Sequence, residues 1–178
     1  MKITLASILL GLVHFMVSAQ TEFITTWKTD NPGVSADNQI TIPTFTGETY
    51  NYTVDWGDGT SDSNVSGDIT HTYGVPGTYQ VSISGTFPRI YFEAEVVSGG
   101  SGFSVNGLDD NNKLLSIDQW GSNQWTSMRN AFFGCENMVI NATDIPDFSN
   151  TNNLSSMFRF CSSLSTNEAM RNWDVNSV

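Results

Sequence analysis

The side chains best equipped for chemistry are three aspartates, a histidine and two cysteines. Asp55, Asp58 and Asp62 surround a Gly57-Asp58-Gly59 turn. Calcium takes several oxygen ligands from loops, so this cluster offers a cation site, although its spacing is not that of an EF-hand loop and the ligand set is incomplete. The alternative, which the spacing favours, is a hairpin turn at Asp58-Gly59 with the other carboxylates bonding nearby backbone N–H groups. His71 is the one histidine beyond residue 14. A nucleophile–histidine relay or a histidine-ligated metal would have to use it alone, which favours a structural role. The 18 acidic residues supply carboxylate pairs in such number that a pair alone does not mark a glycosidase. Neither common phosphate-cradling glycine motif is present. These patterns predict no catalytic residue, no cofactor and no enzymatic activity.

The two cysteines, Cys135 and Cys161, occupy equivalent places in a repeated pattern described below. They could form a disulfide in an oxidising compartment, or both could be small buried hydrophobes. Of the five tryptophans, Trp56 alternates with apolar residues and reads as core. Trp120 and Trp125 fall near the junction of two differently patterned halves and are the candidates for an exposed ligand-stacking surface.

The elements that would position these residues begin after a targeting segment. Lys2, the mostly apolar stretch Ile3 to Met16 and the small residues Val17-Ser18-Ala19 read as a signal peptide cleaved before Gln20. Export to the cell surface or medium follows, with no membrane insertion after signal removal. Loss of Lys2 leaves six basic against 18 acidic residues. That balance excludes nucleic acid, whose phosphates need clustered Lys and Arg. Only 14% of residues are charged, against about 25% in an average soluble protein. Asn, Ser, Thr and Gly replace them.

Residues 20–98 read as short antiparallel strands. Tyr50, Tyr52, Val54 and Trp56 alternate with polar residues; so do Tyr79, Val81 and Ile83, the pair Ile40 and Ile42, and the set Ile90, Phe92, Ala94 and Val96. Asn31-Pro32-Gly33, Gly57-Asp58-Gly59 and Pro76-Gly77 punctuate them as turns. A small β-sandwich is expected. Residues 99–107 read as a linker or capping loop. In 99–178 the period changes. Met128, Ala131, Phe132, Cys135 and Met138 recur 26 residues later as Leu154, Met157, Phe158, Cys161 and Leu164. The spacing suggests a short helical stripe occurring twice, and self-similarity at this period suggests stacked coils. A third unit opens with Trp173-Asp174-Val175. It stops at Val178, which suggests further units downstream and an apolar end face of Leu154, Met157, Phe158 and Leu164 prone to self-association.

Two resemblances rest on these residues. Tyr52 to Thr60, containing Trp56-Gly57-Asp58-Gly59-Thr60, with His71-Thr72-Tyr73 and Pro76-Gly77-Thr78-Tyr79-Gln80-Val81, resembles the polycystic-kidney-disease (PKD) domain. That implies a seven-stranded immunoglobulin-like sandwich, with Tyr73 in the part of a tyrosine-corner hydroxyl. Leu154 to Leu164 and Asn172 to Val178 resemble the repeat of BspA-type leucine-rich-repeat surface proteins, in which Cys recurs from unit to unit. The first unit departs from that repeat at Gly121 and Ala131. The expected fold is therefore mainly β, a PKD-like sandwich followed by a leucine-rich-repeat-like solenoid segment with short helices. The resemblances imply a secreted or surface adhesion-type binding protein, commonly bacterial, with a protein or glycan partner. The alternative is an accessory, non-catalytic region of a larger secreted enzyme.

Overall fold

The computed structural model describes residues 21–99, 102–165 and 167–178; the signal-peptide segment lies outside them. Ten strands follow in chain order: β1 (Phe23–Lys28), β2 (Gln39–Ile42), β3 (Asn51–Asp55), β4 (Ser61–Val65), β5 (Ile69–Thr72), β6 (Thr78–Thr86), β7 (Ala94–Gly99), β8 (Gly102–Gly107), β9 (Leu114–Gln119) and β10 (Val139–Ile140). The fold is mainly β. One six-stranded sheet has the order β10-β9-β1-β6-β3-β4, and β2-β5 and β7-β8 form two-stranded sheets. This arrangement is consistent with a β-sandwich.

Alternation explains the inward faces. In β1, Phe23, Thr25 and Trp27 are buried while Ile24, Thr26 and Lys28 are half-buried. In β3, Tyr52 and Val54 point inward, and Trp56 follows them in the same parity with no exposed surface. β3 pairs antiparallel with β6 through Val54 opposite Ile83. The turn after Trp56 requires a glycine: Gly57 has φ 74°, and a Cβ there would meet the Gln80 carbonyl oxygen at 2.2 Å.

Three expectations need correction. The sheet does not stop at residue 98. β9, from the second half, pairs antiparallel with β1, and β10 pairs parallel with β9. β1 is thus an interior strand whose second row of backbone groups is satisfied by Leu114–Gln119. One continuous apolar core runs from Phe23 to Cys161 across the expected boundary. Residues 102–107 are not a loop: they form β8, paired with β7 from Val96 opposite Val105 outward. And residues 128–138 and 154–164 are not helices. They are chains of tight turns, with Ala131 N–H donating to Met128 O, Phe133 to Asn130 O and Cys135 to Phe132 O (3.0–3.3 Å). Among the described residues, the helical elements are two short 3₁₀ segments, Asn111–Lys113 and Glu168–Asn172.

Candidate functional site

The turn after β3 and the end of β5 bring Trp56, Asp58, His71 and Tyr73 together. His71 lies flat on the Trp56 ring, with centroids 4.7 Å apart and an interplanar angle of 9°. Its Nε2 is 2.9 Å from Asp58 Oδ2. Tyr73 meets the His71 ring edge-on and stacks on Tyr79 at 3.8 Å. The Tyr73 hydroxyl donates to the Trp56 carbonyl at 3.1 Å, and the Tyr79 hydroxyl donates to Val75 O at 2.7 Å. The Pro76-Gly77 turn is fastened to the residue after β1: Gly77 N–H donates to Thr29 Oγ1 at 2.9 Å.

Each of the three clustered aspartates is engaged by the protein itself. Asp55 accepts Gly57 N–H at 2.9 Å, and Asp62 accepts the Trp56 indole N–H at 2.8 Å. Asp58 Oδ1 accepts both the Thr60 N–H and its hydroxyl. The Thr60 hydroxyl, ahead of the His71 ring, holds the Asp58 carboxyl down at about 2. Local bonds to charged oxygens favour the ionised form. Among the described residues no three potential metal ligands converge.

The repeated units superimpose in their bonding. Asn130 and Ser156 share positive φ (57° and 58°), and so do Gly134 and Phe160 (75° and 62°), each pair 26 residues apart. Arg129 N–H donates to Ser127 Oγ, and Ser155 N–H to Asn153 Oδ1, at the same offset. The Phe132 ring stacks on Phe158 at 5.7 Å. Met128, Phe132, Cys135 and Met157 are buried, and Leu154, Phe158 and Leu164 pack partly buried against them. Both cysteines are free thiols. The Cys161 thiol donates to Phe132 O at 3.0 Å. Burial pushes it up to about 12, and burial likewise raises the Cys135 thiol well above its ordinary range. Neither thiol should react with a disulfide reagent in the native protein at more than about one-tenth of its rate in denaturant, because the thiolate is the nucleophile. Spectrophotometric titration of free thiols checks this. Fast labelling of the folded chain would refute it.

The proposed tryptophan platform is not at the surface. Trp120 and Trp125 have no exposed area. Because the two halves share a core, Trp125 packs edge-on against Phe23 at 5.1 Å and against Trp120 at 6.2 Å. The loop between them does line a cleft of about 670 Å³, walled by Thr86, Pro88, Ser122, Gln124, Thr126 and Asn150. Its walls are tied together: Asn123 donates to Phe87 O at 2.6 Å, and Thr126 donates its N–H to Pro88 O at 3.0 Å. Ser122, Gln124 and Asn150 remain exposed on it. Gly121 permits this loop: it has φ 67°, and a Cβ would collide with the Thr21 and Glu22 carbonyls at 2.4 Å. Its departure from the repeat is thus imposed by the residues leading into β1.

Four polar residues of consequence carried no sequence signal. Asp110 and Lys113 have fully buried side chains 3.8 Å apart. Burial lowers the Lys113 ammonium from its ordinary range, against the opposing pull of Asp110. Arg89 lies over the Phe45 ring at 3.9 Å and donates to Arg129 O at 3.0 Å. Asn111, also buried, donates to Phe133 O at 2.7 Å. These last two fasten the turns of residues 129–133 to the segments around Arg89 and Asn111. Comparison with protein-family models, curated proteins and solved structures finds no match to this chain.

Proposed function

We propose that this chain is an exported, non-enzymatic binding protein, with a PKD-like sandwich as platform and BspA-type repeat units as the interaction surface. The observation that carries this reading is the cleft at the seam, where the exposed amides of Gln124 and Asn150 stand on a rigid frame. The weakly ionic composition supports recognition by hydrogen bonds rather than by charge. The carboxylates and the histidine of the turn network support a structural role for that network, since protein donors and rings already engage them. The expected partner is a neutral glycan offering hydroxyl groups to the two amides.

The test is binding of the purified chain to immobilised neutral glycans, at low and high salt, with the double variant Gln124→Ala, Asn150→Ala. Two lost hydrogen bonds of about 0.5–1.5 kcal/mol each predict roughly tenfold weaker binding or more. Binding should persist in high salt because it does not depend on exposed charge pairs. The thermal midpoint should not move. Binding that the double variant leaves unchanged, or binding only to a protein ligand, would overturn the glycan assignment. Hydrolysis of a bound substrate would overturn the non-enzymatic one.

A further inference from the structure

Gln124 and Asn150 hold equivalent places, 26 residues apart, and backbone contacts fix both. Gln124 bridges in parallel to Asp147, and Asn150 lies within the turn closed by Thr151 N–H on Phe148 O. The buried Thr151 hydroxyl ties the neighbouring residues together, donating to Trp125 O at 2.7 Å. The two side chains meet on the wall of the cleft of about 670 Å³, where Asn150 Nδ2 donates to Gln124 Oε1 at 3.5 Å. A carboxamide carries one oxygen acceptor and one NH2 donor group. The mutual bond therefore leaves Gln124 Nε2 as a donor beside Asn150 Oδ1 as an acceptor, and among the described residues neither has another partner. Turning both amides over leaves the same pair of groups. Asn176, the next residue at this offset, does not extend the pair, because its Nδ2 donates to Asp174 at 2.7 Å.

The other polar groups of the lining are engaged by the protein. Phe87 O accepts Asn123 Nδ2 at 2.6 Å, and Pro88 O accepts the Thr126 N–H at 3.0 Å. The Thr126 hydroxyl donates to Glu48 at 2.8 Å, and Ser122 Oγ accepts the Thr21 N–H at 2.9 Å. Of the exposed side chains on the cleft, that leaves the amide pair and Thr86, next to the apolar Phe87 and Pro88. The group that answers this arrangement has an acceptor for Gln124, an adjacent donor for Asn150, and an apolar end. Two hydroxyls supply the first two but no apolar end. A secondary amide bearing a methyl group supplies all three.

We propose that this cleft is a subsite for the acetamido group of an N-acetylated sugar. Its carbonyl accepts from Gln124 Nε2, its N–H donates to Asn150 Oδ1, and its methyl lies against Phe87 and Pro88. The assignment rests on the glycan reading above and narrows the partner from a glycan offering hydroxyl groups to one offering this amide. A site built to hydrogen-bond a ligand's polar group rejects the analogue lacking it, because the site's own groups are then left unpaired.

The test is titration calorimetry of the full chain with two β-1,4-linked tetramers, one of N-acetylglucosamine and one of glucose. The acetylated tetramer should bind at least about tenfold more tightly. Gln124→Glu keeps the size of the side chain and the bond from Asn150 but replaces the free donor by an acceptor, so it should remove that preference without moving the thermal midpoint. If it does move the midpoint, Asn150→Asp decides, since it too leaves the pair without a free donor. Asn176→Ala should leave the preference intact. Equal affinity for the two tetramers overturns the acetamido assignment and leaves the glycan reading standing. Binding to neither below about 1 mM also overturns it, and the glycan reading falls with it only if the immobilised neutral glycans fail to retain the chain. An N-acetylated glycine tetrapeptide that binds as tightly as the acetylated sugar would overturn the assignment as well, since the cleft would then read a peptide amide.

Discussion

Replacing Asp110 with Ala should lower the free energy of unfolding by about 3–5 kcal/mol, the scale for leaving one partner of a buried ion pair uncompensated. Asp110 Oδ1 accepts the Ser35 N–H at 3.0 Å, and Oδ2 accepts the Ser35 hydroxyl and the Thr41 N–H, both at 2.7 Å. Lys113 Nζ donates to the carbonyls of Ser35, Ala36 and Gln39 at 2.8–3.0 Å and to Ser35 Oγ at 2.7 Å. The pair thus satisfies the backbone of the segment leading into β2, as a bound ion would. Its removal strands a buried ammonium and leaves the half-buried Ser35 and Thr41 N–H groups without this acceptor. Lys113→Met in the Asp110→Ala background should not restore stability, because three carbonyls then lose their donor. Urea unfolding with a shared slope measures both. A loss below about 1 kcal/mol for Asp110→Ala would show that water replaces the carboxylate there. The same geometry predicts that residues 20–98 alone are less stable than within the whole chain, since both members of the pair and all of β9 come from beyond residue 98.

The sequence exposes some of this and hides the rest for physical reasons. Strands β3 and β6 are legible because period-two alternation and the Gly57-Asp58-Gly59 turn are local properties. The placement of β9 beside β1 is a long-range pairing, and nothing within Leu114–Gln119 names its partner. A change of pattern near residue 98 places Trp120 and Trp125 near a junction in the sequence, whereas a shared core makes them interior. The helical stripe misled because apolar positions at 0, 3, 4, 7 and 10 suit a run of three-residue turns as well as a 3.6-residue helix over so short a span. Asn130 and Gly134 tolerate the left-handed backbone that excludes a helix, but Ser156 and Phe160 at the equivalent places conceal it. Nothing near Asp110 and Lys113 in the sequence marks them as buried, because their burial is decided by the β1–β2 connection folding over them.

Trp56→Ala should be comparably costly, about 3–5 kcal/mol, by the measure of other large buried aromatics. Trp56 has no exposed surface, and three kinds of contact depend on it. Its indole N–H is the donor to Asp62, which sits opposite Val54 where β4 pairs with β3. Its ring is the face on which His71 stacks, and the backbone that accepts the Tyr73 hydroxyl is positioned by that ring. Truncation therefore opens a cavity in the core and frees the β3–β4 turn from β5 at once. Trp56→Phe separates these effects. It keeps most of the volume and the stacking face but removes the bond to Asp62, so it should cost about 1–2 kcal/mol, the lost hydrogen bond plus a small void. Urea midpoints of the two variants beside the parent measure the difference. If Trp56→Phe proved as damaging as Trp56→Ala, the bond to Asp62 would carry the turn and the stack with His71 would be incidental. If Trp56→Ala melted within a few degrees of the parent, the aromatic ladder Trp56–His71–Tyr73–Tyr79 would not hold the two sheets together.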